Sequence, residues 1–189
     1  MPMHSNENAH PTVQVEQALN VETDNESTAN HTARVELALL AGLMMLPARR
    51  VLEIAARVDE RDFYDGHHRT IYAHICAAAH EMESRSEADA IVHPTVVQLR
   101  LQGTGELSHG NTASALIQAT TGAHVPPSWS GVLELADGLK VQRLRRAMRT
   151  AGAGLVESAE GSADDMARAL HDAGFLPSLA LRAGLEVTA

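Results

Sequence analysis

The chain is expected to be all-α: a small orthogonal helical bundle followed by a helical hairpin, with a disordered N-terminal tail. Three observations lead there. Only five of the 189 residues are aromatic, and Ala, Leu, Met, Glu and Arg are plentiful, a balance that favours helices over strands. Apolar residues recur three and four apart rather than in strict alternation. Proline, glycine, serine and aspartate stand at the edges of those runs, where helices start and stop. The expected segments are a polar, acidic tail over 1–31, a globular bundle over 32–127, a hairpin arm over 128–174 and a C-terminal tail over 175–189.

Within the tail, only Val15, Ala18 and Leu19 would share a helical face; the rest is too polar to offset the entropy of ordering. The first firm helix opens near Asn30 or Thr32 and runs to Leu46, apolar on nearly every side and therefore covered from several directions. Pro47 suits the first turn of a second helix. There Val51, Leu52, Ile54, Ala55 and Val58 face inward while Arg49, Arg50, Glu53 and Arg57 face out. Three of the five aromatics, Phe63, Tyr64 and Tyr72, fall between Asp59 and Met82. Phe63 and Tyr64 are expected to plug the base of the bundle. Asp65 caps a central helix from His67, with Ile71, Ile75, Ala78 and Met82 as its stripe, widened by Tyr72, Cys76 and Ala79.

After a polar loop, Pro94 starts a short helix with Val97 and Leu101 inward, ended by Gly103 and Gly105. Asn111 or Thr112 caps the next, with Leu116 and Ile117 inward. A turn carrying Gly122, Pro126 and Pro127 precedes the longest helix, Trp129 to Glu157, capped by Ser128. Its first half aligns Val132, Leu135, Ala136 and Leu139. Its second half aligns Val141, Leu144, Met148, Ala151 and Leu155 out of phase with the first, so a second face is offered to a different partner. Glu160 and Gly161 turn the chain, and Ser162 caps a last short helix. Phe175, Leu176, Leu179 and Leu181 follow, able to fold back or to meet a partner.

The chemistry excluded is as informative. The formal charge is −9, which disfavours non-specific DNA binding over the whole surface. Lys140 is the only lysine and no Gly-Lys-Ser/Thr triplet occurs, so there is no phosphate-binding loop and no P-loop ATPase. Cys76, the one cysteine, is expected as a small buried hydrophobe. His67, His68, His74 and His80 lack i,i+4 spacing, so no metal is expected, and no other cofactor. Asp59, Glu60 and Asp62 accompany no nucleophile and are expected to cap or face solvent rather than catalyse. No signal-peptide pattern or membrane span is present, and a cytoplasmic, soluble, non-enzymatic protein is expected. A basic block, Lys140, Arg143, Arg145, Arg146 and Arg149, lies on the long helix. It is either a solvated face, a contact to an acidic partner, or a direct contact to DNA phosphates.

The order of Glu36 in a buried first helix, Asp62-Phe63-Tyr64, His68-Arg69 and Ile71, Gly105-Glu106-Leu107, and a basic long helix with Arg143, Leu144, Arg145 and Arg146 resembles the N-terminal domain of the bacterial replicative helicase DnaB. The likeness runs from about Arg34 to Ala173. Gly110-Asn111 stands where the family commonly has Gly-Gly, Leu37 where glutamine is common, and the turn before the long helix carries Pro126-Pro127. The resemblance implies a bundle plus hairpin that pairs through the hairpin and builds a collar serving primase and helicase loaders. It also implies a motorless piece, since the chain ends where the family's linker to its ATPase ring would begin. Asp62, Phe63, Tyr64, His68 and Ile71 would then be structural, and Val141, Leu144, Met148, Ala151 and Leu155 would sit at an oligomer or partner interface. The partners implied are a second copy of the chain, the replicative helicase, primase or a helicase loader, with DNA contact weak or indirect.

Overall fold

In a computed structural model, residues 30–108, 110–121 and 128–186 are described. The tail, with Val15, Ala18 and Leu19, and the turn of Gly122, Pro126 and Pro127 lie outside the described residues. Within them the chain is helical and forms no strand, with one isolated bridge between Pro47 and Ile91.

Helix α1 spans 30–43, and the chain then breaks through a turn into α2, Ala48–Ala55. Leu37, Leu39, Leu40, Leu43 and Met44 are buried, so the all-round apolar run is covered from several directions as expected. Pro47 stands at the N-cap of α2 and offers no side-chain acceptor. The loop that follows α3 supplies the missing acceptors: Ala48 N–H donates to the Ala90 carbonyl and Arg49 N–H to the Ala88 carbonyl, both at 3.0 Å. A loop that looks merely polar thus caps a distant helix.

Helix α3, Gly66–Ser84, is the central element and packs against α2, α4 (Pro94–Gly103) and α5 (Gly110–Thr121). Asp65 caps it by accepting from His67 N and His68 N. Ile71, Tyr72, Ile75, Ala78 and Ala79 form its buried stripe, with Cys76 and Met82 partly buried beside it. At its C-terminus Ser86 takes a left-handed conformation (φ 63°), and Glu87 N–H donates to the Met82 carbonyl, a Schellman-type ending in which serine replaces the usual glycine.

Two inward expectations are corrected. Tyr64 is 62% exposed, while Phe63 alone plugs the core, its ring 4.7 Å from that of Tyr72. In α5, Ile117 faces solvent; Thr112, Ala115, Leu116 and Ala119 are buried instead. Thr112 is therefore an inward residue of α5 rather than its cap, and its hydroxyl pairs with His67 Nδ1 at 2.9 Å.

Helix α6, Trp129–Ser158, is capped by Ser128, which accepts from Gly131 N. Val132, Ala136 and Leu139 anchor its first half in the core. Helix α7, Ala163–Ala173, returns along α6 behind a Ser162/Asp165 capping box. The segment expected as a C-terminal tail contains a further helix, α8 (Leu176–Arg182), which also packs on α6.

Because α3 is the shared core element, truncating Ile75 to alanine should cost about 2–5 kcal/mol, while Leu99→Ala on the exposed face of α4 should stay within about 0.5 kcal/mol. Urea titrations of the two variants check the contrast.

Candidate functional site

The densest polar cluster lies where the Asp59–Asp65 segment meets α1, α3, α6 and α8. Asp59 and Asp62 close a reciprocal capping box around the 3-10 turn Glu60–Asp62. The cap expected here is found, but Asp62 is fully buried rather than at the surface. Its Oδ2 accepts from Asp59 N at 2.7 Å and from Arg182 of α8 at 3.2 Å, and its Oδ1 accepts from Arg143 of α6 at 2.9 Å. Arg146 donates to the Asp62 carbonyl at 2.7 Å, and Arg69 to the Phe63 carbonyl at 3.2 Å.

One residue further on, Glu36 of α1 enters. It is fully buried and accepts from Tyr64 N at 2.5 Å, Asp65 N at 3.3 Å and His68 Nδ1 at 2.7 Å. A buried carboxylate is tolerated only when its lone pairs are filled, and three donors fill these. Tyr64, held by its backbone to Glu36, turns its ring outward beneath Arg146, whose guanidinium carbon lies 5.4 Å from the ring centroid. Burial draws the Arg146 pKa below its ordinary value, with Glu36 and Asp62 opposing; its Nη1 is buried without a partner.

The basic block thus divides. Arg143 and Arg146 are engaged by the Asp62 turn, and Lys140 pairs with Asp137 at 2.6 Å. Arg145 and Arg149 are exposed and have no ion-pair partner among the described residues. The four neighbouring histidines also part company. His67 meets Thr112 and His68 meets Glu36; His74 has its pKa lowered by burial and then by Arg100; His80 faces solvent. No group of three or more potential metal-ligating side chains occurs among the described residues.

The second stripe of α6 divides as well. Leu144 is only 5% exposed, on the helix that α8 covers, so it is not free to meet a partner. Val141, Ala151 and Leu155 are partly buried, and Met148 is 55% exposed. Beyond Leu144 no residue of α6 is buried, and α7 and α8 bury none. An open groove of about 550 Å³ runs between α6 and α7, lined by Ala151, Gly154, Ser158, Asp165, Ala169 and Phe175 among others. The sequence signal missed was α8: Leu176, Leu179 and Leu181 show apolar content, but nothing local says that Arg182 reaches Asp62.

A second hollow, of about 620 Å³, lies beside α2 and α3 and includes Val58, Arg69, Tyr72 and Cys76 in its lining. Tyr72 donates its hydroxyl to the Val58 carbonyl at 2.9 Å. Burial pushes the Cys76 thiol up to about 11, with the Tyr72 hydroxyl opposing.

A family model described as the DnaB-like helicase N terminal domain matches residues 28–131, more than half of the chain. The match takes in α1 to α5 and ends just inside α6, so the hairpin lies outside it. No curated protein and no solved structure gives a match. Among the described residues no helix is long and apolar enough to cross a membrane.

Removing Asp62 leaves the largely buried Arg143 guanidinium without its carboxylate beside an unfilled cap, so Asp62→Ala should cost about 3–5 kcal/mol. A double-mutant cycle with Arg143→Ala should return a coupling of about 0.5–3 kcal/mol, whereas additive effects would mean the pair is not formed. Native Cys76 should react with iodoacetamide at pH 8 roughly 100-fold more slowly than in the urea-unfolded chain, since little of it is thiolate. Equal rates would place the thiol in water.

Proposed function

For a chain that belongs to the DnaB-like helicase N-terminal domain family, and is thereby a helicase-associated module, we propose a non-catalytic role in DNA replication in the cytoplasm. In this role the bundle is a rigid base and the α6–α7 hairpin is an arm through which the module self-associates. The assembled arms and bundles then offer a docking platform to a replicative helicase, a primase or a helicase loader.

The observation that carries this is the state of the hairpin. An amphipathic helix pair is stable when its apolar stripe is covered by another layer. Here the distal half of α6 and the whole of α7 bury nothing fully, while Val156 is 75% and Leu170 is 66% exposed. Met148 and Met166 are exposed on the same two helices. Scattered single exposed leucines need no explanation, but a two-helix arm without a core of its own suits an interface. Among the proposed interface positions, Met148, Ala151 and Leu155 remain candidates, Val141 lies nearer the base, and Leu144 serves the chain's own packing. The Gly-Lys-Ser/Thr triplet needed to hold nucleotide phosphates is absent from the sequence, in keeping with a non-catalytic part.

Direct DNA contact through the basic helix is the second reading. Exposed Arg145 and Arg149 favour it, but Arg143 and Arg146 are already engaged at the Asp62 turn. A two-cation contact predicts a shallow salt dependence, with a log–log slope of about −2 at most on double-stranded DNA.

Equilibrium sedimentation tests the main proposal. The wild-type chain should form a dimer or a higher species, and Met148→Glu with Leu170→Glu should drive it towards monomer while leaving the thermal transition in place. A wild-type chain that stays monomeric at about 100 μM would remove self-association from the proposal.

A further inference from the structure

We propose that α8 is a releasable strap: it covers Leu144 on α6, is latched by Arg182 on Asp62, and by lifting off admits a second copy's α6 to the whole stripe from Val141 to Leu155. The inference rests on self-association through the hairpin and adds what regulates it.

Leu144 is buried, yet it does not belong to the continuous core cluster that takes in Val132, Ala136 and Leu139 of the same helix. Its cover comes from elsewhere. Gln142, which meets α1, and Arg146, which meets the Asp62 turn, each lie two residues from Leu144, about 200° round the helix. The groove against α7 is lined from Thr150 and Ala151 onward, well beyond Leu144. Helix α8 packs on α6 and carries Arg182 to Asp62, the partner of Arg143, and Arg143 is the residue next to Leu144. Leu176, Leu179, Ala180 and Ala183, partly buried and spaced as one helical face, are the side it lays down.

Little holds that face in place. No residue of α8 is buried, and Leu181 is 65% exposed. A helix of seven residues is too short to persist unpacked. The latch is a hydrogen bond of 3.2 Å from a side chain 41% exposed, so water screens it; Arg143, on the same carboxylate, is 20% exposed at 2.9 Å. When Arg182 leaves, Asp62 keeps Arg143 on Oδ1 and the Asp59 N–H on Oδ2, so no buried anion is stranded. Gly174 and Phe175 separate α8 from α7. Pro177, in the first turn of α8, has no N–H to give to the Ala173 carbonyl, and its ring would press on that carbonyl, so the two helices do not fuse into one rod. Helix α8 therefore opens as a local unit, with α7 and the core in place.

The stripe under and beyond the strap identifies its occupant. Val141, Leu144, Met148, Ala151 and Leu155 recur three and four apart, the seam by which one helix pairs with another of the same period. With α8 in place that seam is interrupted at Leu144. A second copy's α6 carries the same seam, so the two faces match by symmetry once both straps lift. The closed strap lowers the fraction of chains competent to pair, and the apparent affinity falls with that fraction.

The test follows the full chain by amide hydrogen exchange and by sedimentation equilibrium. In wild type, the amides of 178–185 should exchange faster than those of 71–79 in α3. Arg182→Glu, which sets a carboxylate against Asp62, and Leu179→Ser, on the packing face, should each speed exchange over 178–185 about tenfold and leave 71–79 unchanged. Each should tighten self-association by that factor or more, because both copies must open to pair. Adding Leu144→Ala to Arg182→Glu should cancel the gain. Exchange over 178–185 as slow as over 71–79 in wild type and both variants overturns the proposal. So does an opened α8 with association no tighter than wild type, a result that leaves self-association standing. So does a gain that survives Leu144→Ala, which would put the pairing surface elsewhere. Monomers throughout, wild type and variants alike, would remove self-association and this inference with it.

Discussion

Two buried carboxylates hold this molecule together. Glu36 and Asp62 each lie out of water; donors from other elements fill the lone pairs of Glu36, and Asp62 takes Arg143 and Arg182 from other elements beside the Asp59 N–H of its own turn. Burying such a charge is costly, and the cost is recovered only if every donor arrives with good geometry. The arrangement therefore specifies more than it stabilises. It fixes where α1 crosses the start of α3, and where α6 and α8 cross the turn before it. Moving α1 or α6 would strand an anion in the interior.

A chain with five aromatic residues has few large anchors, and that makes the polar nexus more consequential. Phe63 and Tyr72 supply one aromatic contact in the core; aliphatic side chains from α1 to α6 supply the rest. Apolar burial is non-directional and would accept several ways of stacking these helices. The hydrogen bonds at Glu36 and Asp62 are directional and select among them. The same nexus sets the surface. By engaging Arg143 and Arg146 it leaves Arg145 and Arg149 outward, and by turning Tyr64 away from the core it places an aromatic ring under a guanidinium. The base of the hairpin is pinned, while beyond Leu144 no residue of α6, and none of α7, is buried.

Much of the fold was legible residue by residue. Pro47, Asp65, Pro94, Ser128 and Ser162 mark helix starts, because each side chain either fills an orphan N–H or lacks one of its own. The stripe of Ile71, Ile75 and Ala78 and that of Val132, Ala136 and Leu139 are visible in period alone. The misplacements share a cause. Tyr64 and Ile117 are apolar in type, but which neighbour covers them is decided by elements far away in sequence. The candidate surface was half legible: its cations stand together on one helix, yet periodicity cannot say which of them a carboxylate elsewhere will claim.

What the sequence by itself determined is therefore local: an all-helical chain, its caps and breaks, the faces turned inward, and the family to which residues 28–131 belong. The reason is that helical period and capping chemistry act over three or four residues and need no knowledge of the rest of the chain. The tertiary structure alone decided that Asp62 lies inside and draws in Arg143 and Arg182 from positions far along the chain. It also decided that Leu144 is covered, and that the chain enters α1 against Gln142. Charge and hydrogen-bond partners in an interior are chosen by proximity in space, and proximity in space is settled only when every helix has found its place.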